Sequence, residues 1–496
     1  MQVGAEFAAV SDEDLASSPA AVRALVVSMA ARITALEERL TGLGRENDTL
    51  RAENALLRDK LGVNSSNSGK PPSSDGPTTT PPPNKPSKNK RGGQPKHPRH
   101  RRELLPADKV DRIEDLRPSQ CGRCGEALVG EDPAPLRHQV FELAEVLRHV
   151  REYRLHRLTC PCCEARTLAH LPEGVPTGAF GPRLIALVSL LSGRYRISKR
   201  AVTEMLLEVF EVDMSTGAVC NAEQTVSQAI EESVDEAVKH VQTQPVVHVD
   251  ETSWREAKKR AWLWVMATLS VTCFRIDPHR STAAAKALMG ENFAGIAVSD
   301  RYGAYAWIDD ERRQSCWAHL DRDWQRMIDR GAESAEIGRE LRGATEALFR
   351  WWHRVRDGTR DRAWLKKKVK RLRRTVHDAL ERGRVCAHAR TAGTCNEILL
   401  VEDTLWTFVG TQGVEPTNNL AEQRIRHGVM WRKTSFGTDS EVGSRFVERI
   451  LTVVMSLRSQ GRRILDFLVK SLHAVSGDNA RPSLLPTNAL AHATSP

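Results

Sequence analysis

No apolar run in these 496 residues approaches the roughly 18–20 residues that cross a bilayer, and no basic stretch followed by an apolar one opens the chain. The first absence excludes a helical membrane protein, and the second argues against a secretory leader, so a soluble cytoplasmic protein is expected. Cysteine is scarce as well. Ten residues are too few for a disulfide scaffold of this length, and because four of them form two close pairs, metal-bound thiolates in a reducing compartment fit better. Acids are the minority charge, 63 against 73 Lys plus Arg, which gives a formal charge of +10 and a pI near 9.2. Such a balance favours a polyanionic partner such as nucleic acid. The length exceeds one core, and at roughly 100–200 residues per domain several domains are expected.

Apolar residues recur every seven positions at the N-terminal end: Met29, Leu36, Leu43, Leu50 and Leu57 in one series, Val26, Ile33, Leu40 and Leu61 in the other. This seam predicts a coiled coil over 21–61. Asn47 and Asn54 interrupt the second series, as register-fixing residues of a parallel dimer do, so a homodimer or higher oligomer is expected. Residues 62–104 are rich in Ser, Asn and Pro and cannot bury enough surface to offset ordering. From Lys85 to Arg102 this linker holds no acid, and Lys90, Arg91, Arg99, Arg101 and Arg102 suit DNA phosphates or a minor groove.

Two paired-cysteine turns lie within 105–172, Cys121-Gly-Arg-Cys124 and Cys160-Pro-Cys162-Cys163. Cys121, Cys124, Cys160 and Cys163 are the expected ligands of a structural Zn²⁺, with Cys162 able to replace a neighbour. Residues 175–242 read as helices in which Ser215 can cap a helix after a short turn. That layout fits a helix-turn-helix DNA reader and equally a plain helical bundle.

Val246 to Asp250 is a β-branched run ending on a carboxylate, followed by two strand candidates, a helical stretch, and a second apolar strand, Ala294 to Ser299, ending at Asp300. Three strands, a helix and a fourth strand give the order of a ribonuclease H-like sheet. Asn418 can cap a helix that carries Glu422, with Arg424 and Arg426 on the same helix and Arg432 and Lys433 beyond. Hard carboxylates of this kind suit Mg²⁺ or Mn²⁺. Cys316 and His319 form a Cys-x-x-His pair with only Cys386, His388 and Cys395 as a faint complement, so a structural role is expected for them.

The blocks Asp250-Glu-Thr-Ser-Trp254, Ser299-Asp300-Arg-Tyr302-Gly-Ala-Tyr305, Cys316-Trp-Ala-His319-Leu320, Glu415-Pro-Thr-Asn418-Asn-Leu-Ala-Glu422 and Trp431-Arg432-Lys433-Thr-Ser-Phe-Gly-Thr438 resemble the insertion sequence 66 family of bacterial transposases. The N-terminal coil, the linker and the paired cysteines resemble it too. The resemblance implies a DDE transposase in which Asp250, Asp300 and Glu422 hold two metal ions. Its partners would be transposon ends and target DNA, with small accessory proteins of the same element, and its location would be cytoplasmic and nucleoid-associated.

The resulting expectation is a multidomain α+β chain: coiled coil, basic linker, zinc-binding module and helical domain. A ribonuclease H-like catalytic core follows over 243–440 with a helical insertion at about 325–412, then a helical element over 441–475 and a tail over 476–496. The insertion carries the run Lys366-Lys367-Lys368-Val-Lys370-Arg371 and is expected to clamp DNA. Two alternatives stand beside this reading: a non-catalytic DNA-binding regulator, and a ribonuclease H-like nuclease acting on hybrids.

Overall fold

The computed structural model describes residues 16–61, 104–142, 148–475, 477 and 480–486. The basic arm with Lys90, Arg91, Arg99, Arg101 and Arg102, and most of the C-terminal tail, lie outside the described residues. The chain is mixed α and β and divides into two units, Met1–Pro81 with Trp317–Leu400, and Pro82–Cys316 with Val401–Pro496. Among the described residues no helix is long and apolar enough to cross a membrane.

In the first unit a single helix, α1 (Ala20–Leu61), runs through the heptad segment. Its seam residues Met29, Leu36, Leu43 and Leu50 are each more than half exposed.

The second unit begins with a small hairpin of β1 (Arg157–Thr159) and β2 (Arg166–Leu168), joined by the turn that holds Cys160 to Cys163. Four helices follow: α2 (Pro182–Gly193), α3 (Lys199–Phe210), α4 (Thr216–Ala229) and α5 (Glu231–Gln242). Ser198 Oγ accepts from the Ala201 N–H and Ser215 Oγ from the Ala218 N–H, each at 3.2 Å, so two of the four start on a side-chain cap.

Three antiparallel strands come next, β3 (Val246–Glu256), β4 (Lys259–Ala267) and β5 (Thr272–Asp277), then α6 (Thr282–Met289) and β6 (Ile296–Ser299). A fifth strand, β7 (Arg313–Ser315), completes the sheet in the order β5-β4-β3-β6-β7, with β6 parallel to both β3 and β7. The apolar period does not reveal β7, because its three residues are polar, and yet all are buried. The side chains of Gln314 and Ser315 are satisfied internally: Gln314 donates to the Ser315 and Leu405 carbonyls and accepts from the Phe408 N–H, and Ser315 meets Thr404 at 2.6 Å.

Between β7 and the rest of this unit the chain makes four helices of the first unit: α7 (Trp317–Asp329), α8 (Ala332–Arg356), α9 (Arg362–Arg384) and α10 (Ala389–Leu399). Each packs on the next, and Trp324 of α7 donates to Thr345 of α8 at 3.0 Å. Leu365, Val369, Leu372 and Val376 turn one face of α9 inward, while Lys366, Lys367, Lys368, Lys370, Arg371, Arg373 and Arg374 are exposed.

The second unit resumes with the short α11 (Thr407–Gly410), then α12 (Asn419–Ser435), α13 (Glu441–Ser459) and α14 (Ile464–Val475). Although residues 175–242, the sheet and residues 441–475 read as separate segments, side chains of α2, α4, α5, α12, α13 and α14 share one core with the sheet. A sheet with both faces apolar needs cover on both, and these helices provide it. Helix α13 also closes the outer edge of the sheet. Ser456 and Thr452 accept the N–H groups of Thr272 and Phe274 at 3.0 and 3.1 Å, and Glu448 accepts that of Ile276. Residues four apart on a helix thus take up every second amide of β5, and the edge is blocked against pairing with another strand.

Candidate active site

Asp250 lies within β3 and Asp300 directly follows β6. The parallel register pairs Val246 with Ile296, Val247 with Ala297 and His248 with Val298, so two further steps bring Asp250 opposite Asp300. Neighbouring strands lie about 4.8 Å apart, which puts the two aspartates side by side where β6 ends and β3 continues. Asp250 Oδ1 accepts the Glu251 N–H and Asp300 Oδ1 accepts the Tyr302 N–H, both at 2.9 Å, so each carboxylate is oriented by a main-chain N–H one or two residues on.

Glu251 alternates to the opposite face of β3 and is buried. Arg280 donates to its Oε1 through Nε at 2.8 Å and Nη2 at 2.6 Å, and the Tyr305 hydroxyl donates to its Oε2 at 2.5 Å. Burial pushes the Glu251 carboxyl up and the charge of Asp300 adds to this, while Tyr305 and Arg280 pull it down. The Tyr305 hydroxyl is held well above its ordinary range, first by burial and then by Glu251, Asp300 and Asp250. Arg280 is sandwiched between aromatics, 3.6 Å from the Tyr302 ring centroid and 5.0 Å from that of Trp262. This network stiffens the floor under the two aspartates. Sequence reading passed over Glu251, Arg280 and Tyr305 as members of the site, although Glu251 and Tyr305 fall inside the quoted blocks.

Asn418 was expected to cap α12, and its main chain does so, its carbonyl accepting the Glu422 N–H at 3.2 Å. Its side chain does something else. Nδ2 donates to the Val249 carbonyl at 2.7 Å, which leaves Oδ1 to accept from His248 Nδ1 at 3.2 Å. The imidazole therefore carries a proton on Nδ1, and burial, partly offset by Asn418, lowers its pKa to about 4. The Asn418 N–H donates to Cys316 Sγ at 3.2 Å. One buried amide thus ties the start of α12 to the two residues that precede Asp250 and to the residue that follows β7.

Glu422, one turn into α12, is half-buried, and one of its carboxylate oxygens lies within 4.8 Å of Cys316 Sγ. Among the described residues Asp250, Asp300 and Glu422 do not form a set with all ligand atoms within 4.8 Å of one another. His319 belongs to α7 in the other unit.

Further along α12, Gly428 lies against β4, where a Cβ would stand 2.1 Å from Leu263 Cδ2. Arg432 donates to Thr252 Oγ1 at 3.1 Å and to Ser253, so it fastens α12 to β3. Arg424 reaches the Leu269 carbonyl at 3.4 Å, and Arg426 and Lys433 are exposed. After α12 the chain turns at Gly437, φ +124°, where a Cβ would stand 2.2 Å from the Arg255 carbonyl oxygen. Only glycine permits that approach. It lets the Thr438 N–H donate to Arg255 at 3.0 Å and the Trp254 indole donate to Thr438 Oγ1 at 3.2 Å.

The paired cysteines form two similar turns. The Gly125 N–H donates to the Cys121 carbonyl and the Glu164 N–H to the Cys160 carbonyl, both at 2.9 Å. Main-chain N–H groups of Arg123 and Cys124 lower the Cys121 thiol pKa, and those of Cys163 and Cys162 lower that of Cys160. Among the described residues no three of the four sulfurs lie within 4.8 Å of one another.

Residues 177–445, more than half of the chain and inclusive of all three acids, match the family described as Transposase IS66 family. Residues 17–103 match a family of unknown function, DUF6444. The chain is 24% identical over 422 residues to the uncharacterized protein y4qI of Sinorhizobium fredii, covering 78% of this chain and 76% of that protein.

Proposed function

The chain belongs to the IS66 family of transposases, and from that premise we propose that it is a DNA transposase with a ribonuclease H-like core in which Asp250, Asp300 and Glu422 bind divalent metal. The observation that carries this reading is the parallel register that sets Asp250, within β3, level with Asp300, just past the end of β6, with the helix of Glu422 pinned beside the first by Asn418. Oxygen donors of this kind fit Mg²⁺ or Mn²⁺, which need few protein ligands and retain waters. Bound there, such ions supply an activated water and neutralise charge at the scissile phosphate. The protein's own part is to hold the carboxylates in place and oriented. Glu251 is already bound by Arg280 and Tyr305, which leaves ligation to its neighbours.

The two cysteine turns suit a structural Zn²⁺ held by Cys121, Cys124, Cys160 and Cys163, since N–H groups aimed at sulfur favour thiolates. The half-exposed seam of α1 suits pairing with a second copy of the chain, and the exposed basic face of α9 suits DNA phosphates, as do Arg426 and Lys433. Arg432 has partners inside the unit and would act on DNA through the seat of α12.

Purified protein incubated with the element's flanking DNA and Mg²⁺ tests the proposal. Cleavage and joining of a 3′ end are expected. Asp250→Asn, Asp300→Asn and Glu422→Gln should each reduce cleavage by at least about 10³-fold with DNA binding retained. Retained cleavage in two of the three would refute the assignment.

A further inference from the structure

On the side of α12 away from Glu422, five cationic or titratable side chains from three elements converge. Arg194 and Arg196 come from the turn after α2, Arg424 and His427 from α12, and Arg458 from the last turn of α13. Arg194 Nη1 lies 3.5 Å from His427 Nδ1. A guanidinium can only donate, so that nitrogen accepts and the imidazole is neutral. Burial and then the charges of Arg194, Arg458, Arg196 and Arg424 press the His427 pKa down to about 4.

The cluster has no internal counter-charge: among the described residues none of the four arginines forms an ion pair with a carboxylate. Arg424 Nε is buried without a hydrogen-bond partner among the described residues. Arg196 adopts φ +58°, an unusual conformation for a residue with a side chain. Four guanidiniums gathered on one face, with donors left over and a strained residue among them, are the arrangement expected of an anion site.

We propose that Arg194, Arg196, Arg424, His427 and Arg458 form a cradle for consecutive phosphodiester groups of a DNA strand. This deepens the transposase reading and rests on it. Successive residues turn by roughly 100° around a helix, so Arg424 and His427 stand about 200° and 140° from Glu422. A helix is about 10–12 Å across, which corresponds to about three base steps of 3.4 Å. The cradle therefore grips the backbone a few nucleotides to one side of the acids and sets where the strand meets them. Guanidinium forks contact phosphate oxygens without reading bases, so the grip is independent of sequence.

The test is binding of a 20-base-pair duplex of arbitrary sequence to the full chain without divalent metal, by fluorescence anisotropy over a series of salt concentrations. Arg194→Gln combined with Arg458→Gln should weaken binding about tenfold or more at low salt. It should also flatten the slope of log K against log salt by about 1.8, since each phosphate contact contributes about 0.9. Exposed Arg458→Gln alone, which removes repulsion and no packing, should leave the melting temperature unchanged or raised and still lower the slope by about 0.9. An unchanged slope in both variants overturns the cradle, as does a wild-type chain that binds no duplex. The outcomes separate from those of the cleavage assay: cleavage with an unchanged slope sinks the cradle alone, and a lowered slope without cleavage by the wild type sinks the transposase reading alone.

Discussion

Replacing Asn418 with Ala removes the amide that joins α12 to β3, and the structure sets the scale of the loss. Asn418 is fully buried and His248 is 7% exposed, so water cannot take over either bond. The Val249 carbonyl and the His248 Nδ1–H would both be stranded, at about 1–3 kcal/mol each, giving roughly 2–6 kcal/mol in all. Chemical denaturation followed by tryptophan fluorescence measures this, and hydrogen exchange locates it, with protection falling in β3 and at the start of α12. A cycle with His248→Ala isolates the pair: in that background Asn418→Ala should cost less, with a coupling of about 0.5–3 kcal/mol. A loss below about 1 kcal/mol, or additivity within about 0.3 kcal/mol, would refute the view that this amide fixes the helix.

Two further outcomes follow from the same scaffold. Burial raises the Glu448 carboxyl to about 6 despite the nearby Arg445, Ile276 N–H and Arg275. The folded state therefore holds a proton that the unfolded state releases above about 4.5, and stability should fall by about 2 kcal/mol as pH rises from about 4.5 to beyond 6. In Glu448→Gln that part of the pH profile should be absent, and equal profiles for the two proteins would contradict it. Gly437→Ala places a methyl against the Arg255 carbonyl at a positive φ and should destabilise by about 1–3 kcal/mol. A melting temperature within about 1 °C of wild type would show that the turn relaxes freely.

The helix through 21–61, the strand that carries Asp250, the strand-end position of Asp300, the serine cap of α4, and the helix bearing Glu422 were legible in order of residues, because each is a local pattern of apolar period, β-branching or turn chemistry. The family match rests on the same spaced blocks. Strand β7 was not legible, since its burial is matched by hydrogen bonds to residues some 90 positions away rather than by apolar character. For the same reason Asn418 looked like an ordinary cap: its donor and acceptor reach a strand 170 residues earlier. The arginines of the cradle come from positions 194 to 458 and share no spacing. What the sequence determined by itself was which segments bury an apolar face and which carry acids. Only the tertiary structure decided which polar groups meet, because a hydrogen bond or a repulsion depends on distances of a few ångströms between residues that chain order leaves far apart.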